Sequence, residues 1–291
     1  MHPDPVTALL VGRSTLDIVY ACAGFPDADG KVDAEVAYKA GGGPALNAAV
    51  AFAGLGGQAK LLSVVGEGPF ADWVRGDIGR YGVQLIDAAA GETDVLPVSS
   101  VILSGAHRAI VNQPLPSRVG GAPGDLVGRL FEACPAIVLS DGHLPELALP
   151  VLQRAREMGV TTVLDGGSWK EWTPELLPFV DVAVVSARFR PPGMDDVLTW
   201  LAGRIARVAV TRGGGPIRWR DDGASGAIDP PQVEAVDTLG AGDIFHGAFC
   251  HALANGGDFP ASLRFAAGVA SGACAVWGPR AWIGEAPRAA T

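Results

Sequence analysis

The chain has 291 residues, 48% hydrophobic and 18% charged, enough for one large core or for a core with a small appendage. Its formal net charge of −9 gives no broad positive surface for nucleic acid or an anionic membrane, so an anionic ligand would need a local basic site. Cys22, Cys134, Cys250 and Cys274 are far apart and form no CxxC pair, which argues for free thiols over a zinc site.

The opening residues "MHPDPVTALLVG" have no basic segment leading into a long apolar one, and no apolar run reaches the roughly 18 residues of a spanning helix. The expectation is a cytoplasmic protein with no membrane or nucleic-acid partner. Apolar runs at 6–12, 60–66, 136–142, 160–167, 181–187 and 207–215 are rich in Val, Ile and Leu and do not alternate with polar residues, as in strands buried on both faces. Helical patterns lie between and after them at 69–82, 144–159, 194–206, 241–256 and 260–278. This order predicts a doubly wound α/β fold with a mainly parallel sheet. Residues 17–39 and 93–113 alternate instead and predict a small β-flap formed by two excursions of one domain.

In open parallel sheets, ligands bind beyond the carboxyl ends of the strands. Here those ends carry Gly66, Asp141, Asp165 to Gly167, Ser186 and Thr211 to Gly215. Glycine is also what turns require, so no single one of these positions decides the matter.

The stretch "DTLGAGDIFHGAF" (237–249) opens an apolar helix. A helix start has about four unpaired N–H groups and roughly half a positive charge. Gly240 and Gly242 keep side chains away, so residues 240–243 form an anion cradle. Asp243 has two readings at this point: a first-turn acid that stabilises the helix, or a general base beside a cradle for a transferring phosphoryl group.

Asp237-Thr238-Leu239-Gly240-Ala241-Gly242-Asp243 closely resembles the C-terminal signature of the PfkB (ribokinase-like) carbohydrate kinases, and "AGGGPALNAAVAFAGLGG" (40–57) resembles their N-terminal one. The resemblance implies a ribokinase-like three-layer α/β/α fold, with a β-lid from about 13–39 and 93–113. It also implies ATP-dependent phosphorylation of a small sugar or sugar derivative, with magnesium and in some members potassium. Asp243 would be the catalytic base, with Gly240, Ala241 and Gly242 as the anion hole.

By the same resemblance, Asp17, Gly42, Gly43, Asn47 and Asn112 would bind the sugar. Thr211 and Gly213, with Gly240 and Gly242, would contact the nucleotide. Asp237 and Thr238 would belong to a monovalent-cation site, and family habit suggests a homodimer through the lid. Asp17 also reads as a turn aspartate, and Arg108, Asn112, Asp141 and His143 as ordinary flap and turn residues. The residues near 270–278 should lie by the adenine. Two departures stand out: Pro44 replaces a side chain that would contact sugar, and Ser186-Ala187-Arg188-Phe189 replaces the family's Asn-x-x-Glu. Arg188 is expected to supply charge near the phosphates that this motif otherwise arranges through metal.

A dehydrogenase fingerprint and a P-loop are both absent: "VGRSTLD" and "DGKVDA" satisfy neither pattern. A nucleoside kinase and a non-catalytic sugar-binding member of the same fold remain as alternatives.

Overall fold

A computed structural model describes residues 5–105, 107–114 and 124–284. The chain runs β1 (Thr7–Val11), β2 (Thr15–Ala21), β3 (Val36–Gly42), α1 (Pro44–Gly54), β4 (Gln58–Ser63), α2 (Pro69–Gly79), β5 (Gln84–Asp87), β6 (Val98–Ser104) and β7 (His107–Asn112). It continues with α3 (Gly124–Leu130), β8 (Ile137–Ser140), α4 (Pro145–Glu157), β9 (Thr161–Gly166), α5 (Thr173–Leu176), β10 (Val182–Ser186) and α6 (Val197–Ala202). β11 (Arg207–Arg212), β12 (Gly215–Asp221), β13 (Ala224–Ile228), α7 (Ala241–Ala254) and α8 (Phe259–Cys274) complete it.

The large sheet has the order β13-β12-β11-β10-β9-β8-β1-β4-β5. From β11 to β5 every pairing is parallel, and β12 and β13 add an antiparallel edge. Both faces are covered, which is why these strands read as continuous apolar runs. In β1, Ala8 and Leu10 pack with residues of α1, α2, α7 and α8, while Leu9 and Val11 pack with those of α3, α4, α5 and α6. This is the expected three-layer α/β/α arrangement.

The small sheet has the order β3-β2-β6-β7. Its register aligns Ala40, Asp17, Ser99 and Asn112 across all four strands. Side chains in one such row share a face. The face of Asp17 also carries buried Val19, Ala21, Val101 and Leu103. The opposite face presents Tyr20 and Val111, at 40% and 73% exposure.

The alternating stretches did become strands, but residues 22–35 belong to none. The helix expected over 194–206 is shorter, because Asp196 caps it by accepting from Thr199 N. β5, β12, β13 and α3 lie outside the elements read from periodicity. No described helix is long and apolar enough to cross a membrane.

Candidate active site

Residues at the carboxyl ends of β9, β10 and β11 line one cleft with the start of α7. Gly240 is the residue before that helix, with φ of 73°, a left-handed conformation that glycine adopts without strain. Ala241 N–H donates to Thr238 O at 3.3 Å, so this member of the expected anion hole already has a partner. The N–H groups of Gly240, Gly242 and Asp243 donate to no backbone carbonyl among the described residues. A Cβ on Gly242 would meet nothing within 4 Å, so the approach is open. Among the described residues, the amides left without a backbone partner at this helix start are therefore those of Gly240, Gly242 and Asp243.

Asp243 Oδ2 accepts from Asn47 Nδ2 at 2.8 Å, which joins the two signature stretches directly. Burial, and then the nearby Asp165, push the Asp243 carboxyl up to about 7, against the opposing pull of Asn47 and His246. A carboxylate that titrates near neutrality suits proton transfer. Asp243 and the cradle line a cleft of about 1280 Å³, together with Thr211, Gly213, Ser186 and Arg188. Arg190, Arg212 and Arg108 also face this cleft, so several cations surround it. Ala267, Ala270, Ser271 and Cys274 of α8 form another wall.

On the far side of Asp243 lies the inner face of the small sheet. Asp17 is buried and accepts from Thr15 Oγ1 at 2.7 Å. Burial pushes its carboxyl above the usual range, with the hydroxyls of Thr15 and Ser99 opposing. A Cβ on Gly42 would lie 2.1 Å from Asp17 Oδ2, and one on Gly43 2.2 Å from Arg13 O. These glycines are therefore demanded by the protein's own packing, whatever a sugar requires. Asn112 is in the same row as Asp17, two strands away on the exposed edge strand β7. The face of Asn112 is shared by Arg108 four residues earlier, and Arg108 is the one that lines the cleft.

Several expected residues have structural duties. Asp141 accepts from the backbone N–H groups of Arg13, Ala45 and His143, at 2.8, 3.2 and 2.9 Å. It thereby ties together the chain after β1, the start of α1 and the turn after β8. Burial holds His143 below its ordinary range. Asp237 accepts from Tyr38 Oη at 2.6 Å, Leu239 N at 2.8 Å and Gly278 N at 3.1 Å. This donor set spends the carboxylate on protein contacts, and Thr238 stands exposed beside it. Among the described residues, no cluster of three or more His, Cys, Asp or Glu side chains forms a metal site.

Three groups were not legible in the sequence. His246 has Nδ1 at 2.7 Å from Gly242 O and Nε2 at 2.9 Å from Val184 O, with Asp165 Oδ2 at 3.3 Å from Nδ1. Three oxygen atoms therefore surround the two ring nitrogens, with the Asp165 carboxylate set against Nδ1. The pair is buried beneath the first turn of α7, and its one sequence hint is a histidine three residues after Asp243. Lys170 donates to Ser168 O at 3.3 Å and Asp141 O at 3.5 Å, and the nearby Arg13 donates through Nη2 to Gln113 O at 3.1 Å, just past β7 of the small sheet. Arg280, just beyond the 270–278 segment expected by the adenine, contacts Asn47 and Gly41.

A family model described as pfkB family carbohydrate kinase matches residues 7–281. The ATP-dependent ribose-1-phosphate kinase of Halopiger xanaduensis is 27% identical over 273 residues, covering 90% of this chain and 89% of that one. A crystal structure of a candidate ribokinase from Agrobacterium tumefaciens superposes with a TM-score of 0.84 at 30% identity, covering 97% of this chain and 94% of that one. The ribokinase of Arabidopsis thaliana complexed with ribose and ATP has a TM-score of 0.74 at 20% identity, covers 94% of each chain, and adds likeness of fold.

Proposed function

The chain belongs to the pfkB family of carbohydrate kinases, and within it we propose that Asp243 is the base that activates the acceptor hydroxyl. The enzyme transfers a phosphoryl group from ATP to a sugar-class acceptor. The observation that carries the assignment of the base is its position: Asp243 joins the nucleotide cleft to the inner face of the small sheet, and burial raises its carboxyl to about 7. The acceptor hydroxyl gives its proton to Asp243. Its oxygen bonds to the γ-phosphorus as the bond to the β-phosphate oxygen breaks, and ADP leaves. The open amides of Gly240, Gly242 and Asp243 hold the charge on the transferring group, with Thr211 and Gly213 on the nucleotide side.

Asp17, Asn47 and the backbone at Gly42 and Gly43 are the proposed sugar contacts, with Asn112 at the rim. The small sheet is the proposed lid that keeps water from the reaction. Magnesium bound with ATP would neutralise part of the phosphate charge. The protein's contribution on that side is cationic, through Arg188, Arg190 and Arg212. The contacts of Asp237 support a structural role for it at the turn before α7.

ADP release from ATP and magnesium, measured across neutral sugars, sugar acids, sugar phosphates and nucleosides, tests this reading, with Asp243→Asn as control. Sugar phosphates and acids belong in the panel because Arg13 and Lys170 flank the acceptor side. Turnover of one sugar class that vanishes in the variant supports the assignment. Turnover of nucleosides alone would move the enzyme to the nucleoside class. Silence across the panel, with a sugar still raising the melting temperature, would favour a binding protein.

A further inference from the structure

Asn47 holds the proposed base, but an asparagine side chain is nearly symmetrical in shape. Turned one way it donates to Asp243, and turned the other way it sets an oxygen against the carboxylate. Something must choose between them. Arg280 Nη1 donates to Asn47 Oδ1 at 2.9 Å, and Asn47 Nδ2 donates to Asp243 Oδ2 at 2.8 Å. A guanidinium has donors and no acceptor, so only an oxygen is stable facing it. The amide nitrogen is thereby left for Asp243. That bond occupies Oδ2, and Oδ1 of Asp243 has no hydrogen bond to a described protein group.

Arg280 is itself held on two further sides. Its Nη2 donates to Gly41 O at 2.7 Å and lies 3.7 Å from Asp77 Oδ2. Asp77 Oδ2 in turn accepts from Gly41 N at 2.9 Å, and Arg80 Nη2 donates to its other oxygen at 2.6 Å. The side chains of Asp77 and Arg280 are 3% and 11% exposed, so the array is shielded from water. It links α2, the end of β3, α1 and the first turn of α7.

We propose that Arg280 is a positioning residue for proton transfer: through Asn47 it fixes the rotation of the Asp243 carboxylate and keeps one oxygen free for the acceptor hydroxyl. This inference rests on the assignment of Asp243 as the base. The charged groups facing Asp243 are Asp165 from β9, Asp17 from β2, His246 from α7 and Arg280. Removing the guanidinium takes a positive charge away and frees the amide to turn its oxygen toward the carboxylate. Both effects disfavour ionised Asp243, so the acid limb of the rate profile moves to higher pH.

The test is a double-mutant cycle on kcat with Arg280→Met, Asn47→Ala and both together, with kcat followed from pH 5.5 to 8.5. Arg280→Met should lower kcat by about tenfold to a hundredfold, below the 10²–10⁴ that a base itself supplies, and leave KM for ATP nearly unchanged. Its acid limb should move up, and Arg280→Lys should recover part of the rate. The double variant should be no slower than Asn47→Ala, because Arg280 acts through Asn47. If Arg280→Met does not fold, Arg280→Lys enters the same cycle, with a smaller loss that disappears when Asn47 is absent. Losses that multiply, or an unmoved acid limb, would overturn the proposal. If Asp243→Asn is inactive while Arg280→Met loses nothing, the positioning role alone fails; if the wild-type chain forms no ADP, the kinase reading fails first.

Discussion

Asp243 is ionisable in a place that disfavours its charge, and that has a consequence for stability as well as for rate. Its carboxyl is raised from 3.8 to about 7 in the fold. A raised carboxyl gives stability that is fully present below the unfolded value and is lost as pH climbs through the folded one. Asp243→Asn removes the penalty while keeping an acceptor for Asn47 Nδ2. The variant should therefore melt above wild type at pH 8, by a margin that closes toward pH 4. Melting curves across that range check it, and a pH-independent margin would contradict it. Arg188 makes a second prediction: with cationic charge in place of Asn-x-x-Glu, Arg188→Ala should need more magnesium for half-maximal rate. A magnesium titration of both proteins decides, and unchanged dependence would refute the role. Asp243, Gly240 and Gly242 were legible because their chemistry lies in one contiguous stretch. Arg280 was not, because its partner Asn47 is 233 positions away and no local pattern encodes the meeting.

At the scale of elements, the active site depends on how closely α1 approaches α7. Gly247 makes that approach possible: a Cβ there would lie 2.3 Å from Ala48 O and 2.7 Å from Ala51 Cβ. Ala48 follows Asn47, and Gly247 lies one helical turn beyond Asp243, so separating the helices lengthens the Asn47–Asp243 bond. Gly247→Ala should cost about 1–3 kcal/mol as an overpacked contact. It should also lower kcat, read from a denaturant midpoint and a rate on the same preparation; full activity would show that the helix spacing is not critical. The central strands were legible because burial on both faces leaves unbroken apolar runs. The β12–β13 hairpin was not, because its edge position leaves "GPIRWRD" alternating and polar. The strand limits of the small sheet blurred for the same reason, since half of each strand faces outward.

The whole molecule places its chemistry between a rigid three-layer body and a small sheet with one face turned inward. The outward face carries Tyr20 and Val111, with Ile102 half-buried beside them. Pairing of two such faces is the proposed dimer, continuous with the lid. Sedimentation should give twice the 29.8 kDa chain mass, and Val111→Glu should return it to one chain. A monomeric wild type would contradict this. The overall architecture was readable from the order of strands and helices, whereas subunit pairing depends on surface that periodicity does not distinguish from solvent-facing strand.

The most direct test of the central claim is the pH dependence of kcat/KM for the best acceptor, in wild type and Asp243→Asn. With Asp243 as the base, the rate rises about tenfold per unit at low pH and levels off above about 7, and the variant is about 10²–10⁴ slower on that plateau and lacks the rise. A wild-type profile that is flat from pH 5.5 to 8, or a variant that keeps most of its rate, would show that Asp243 is not the base.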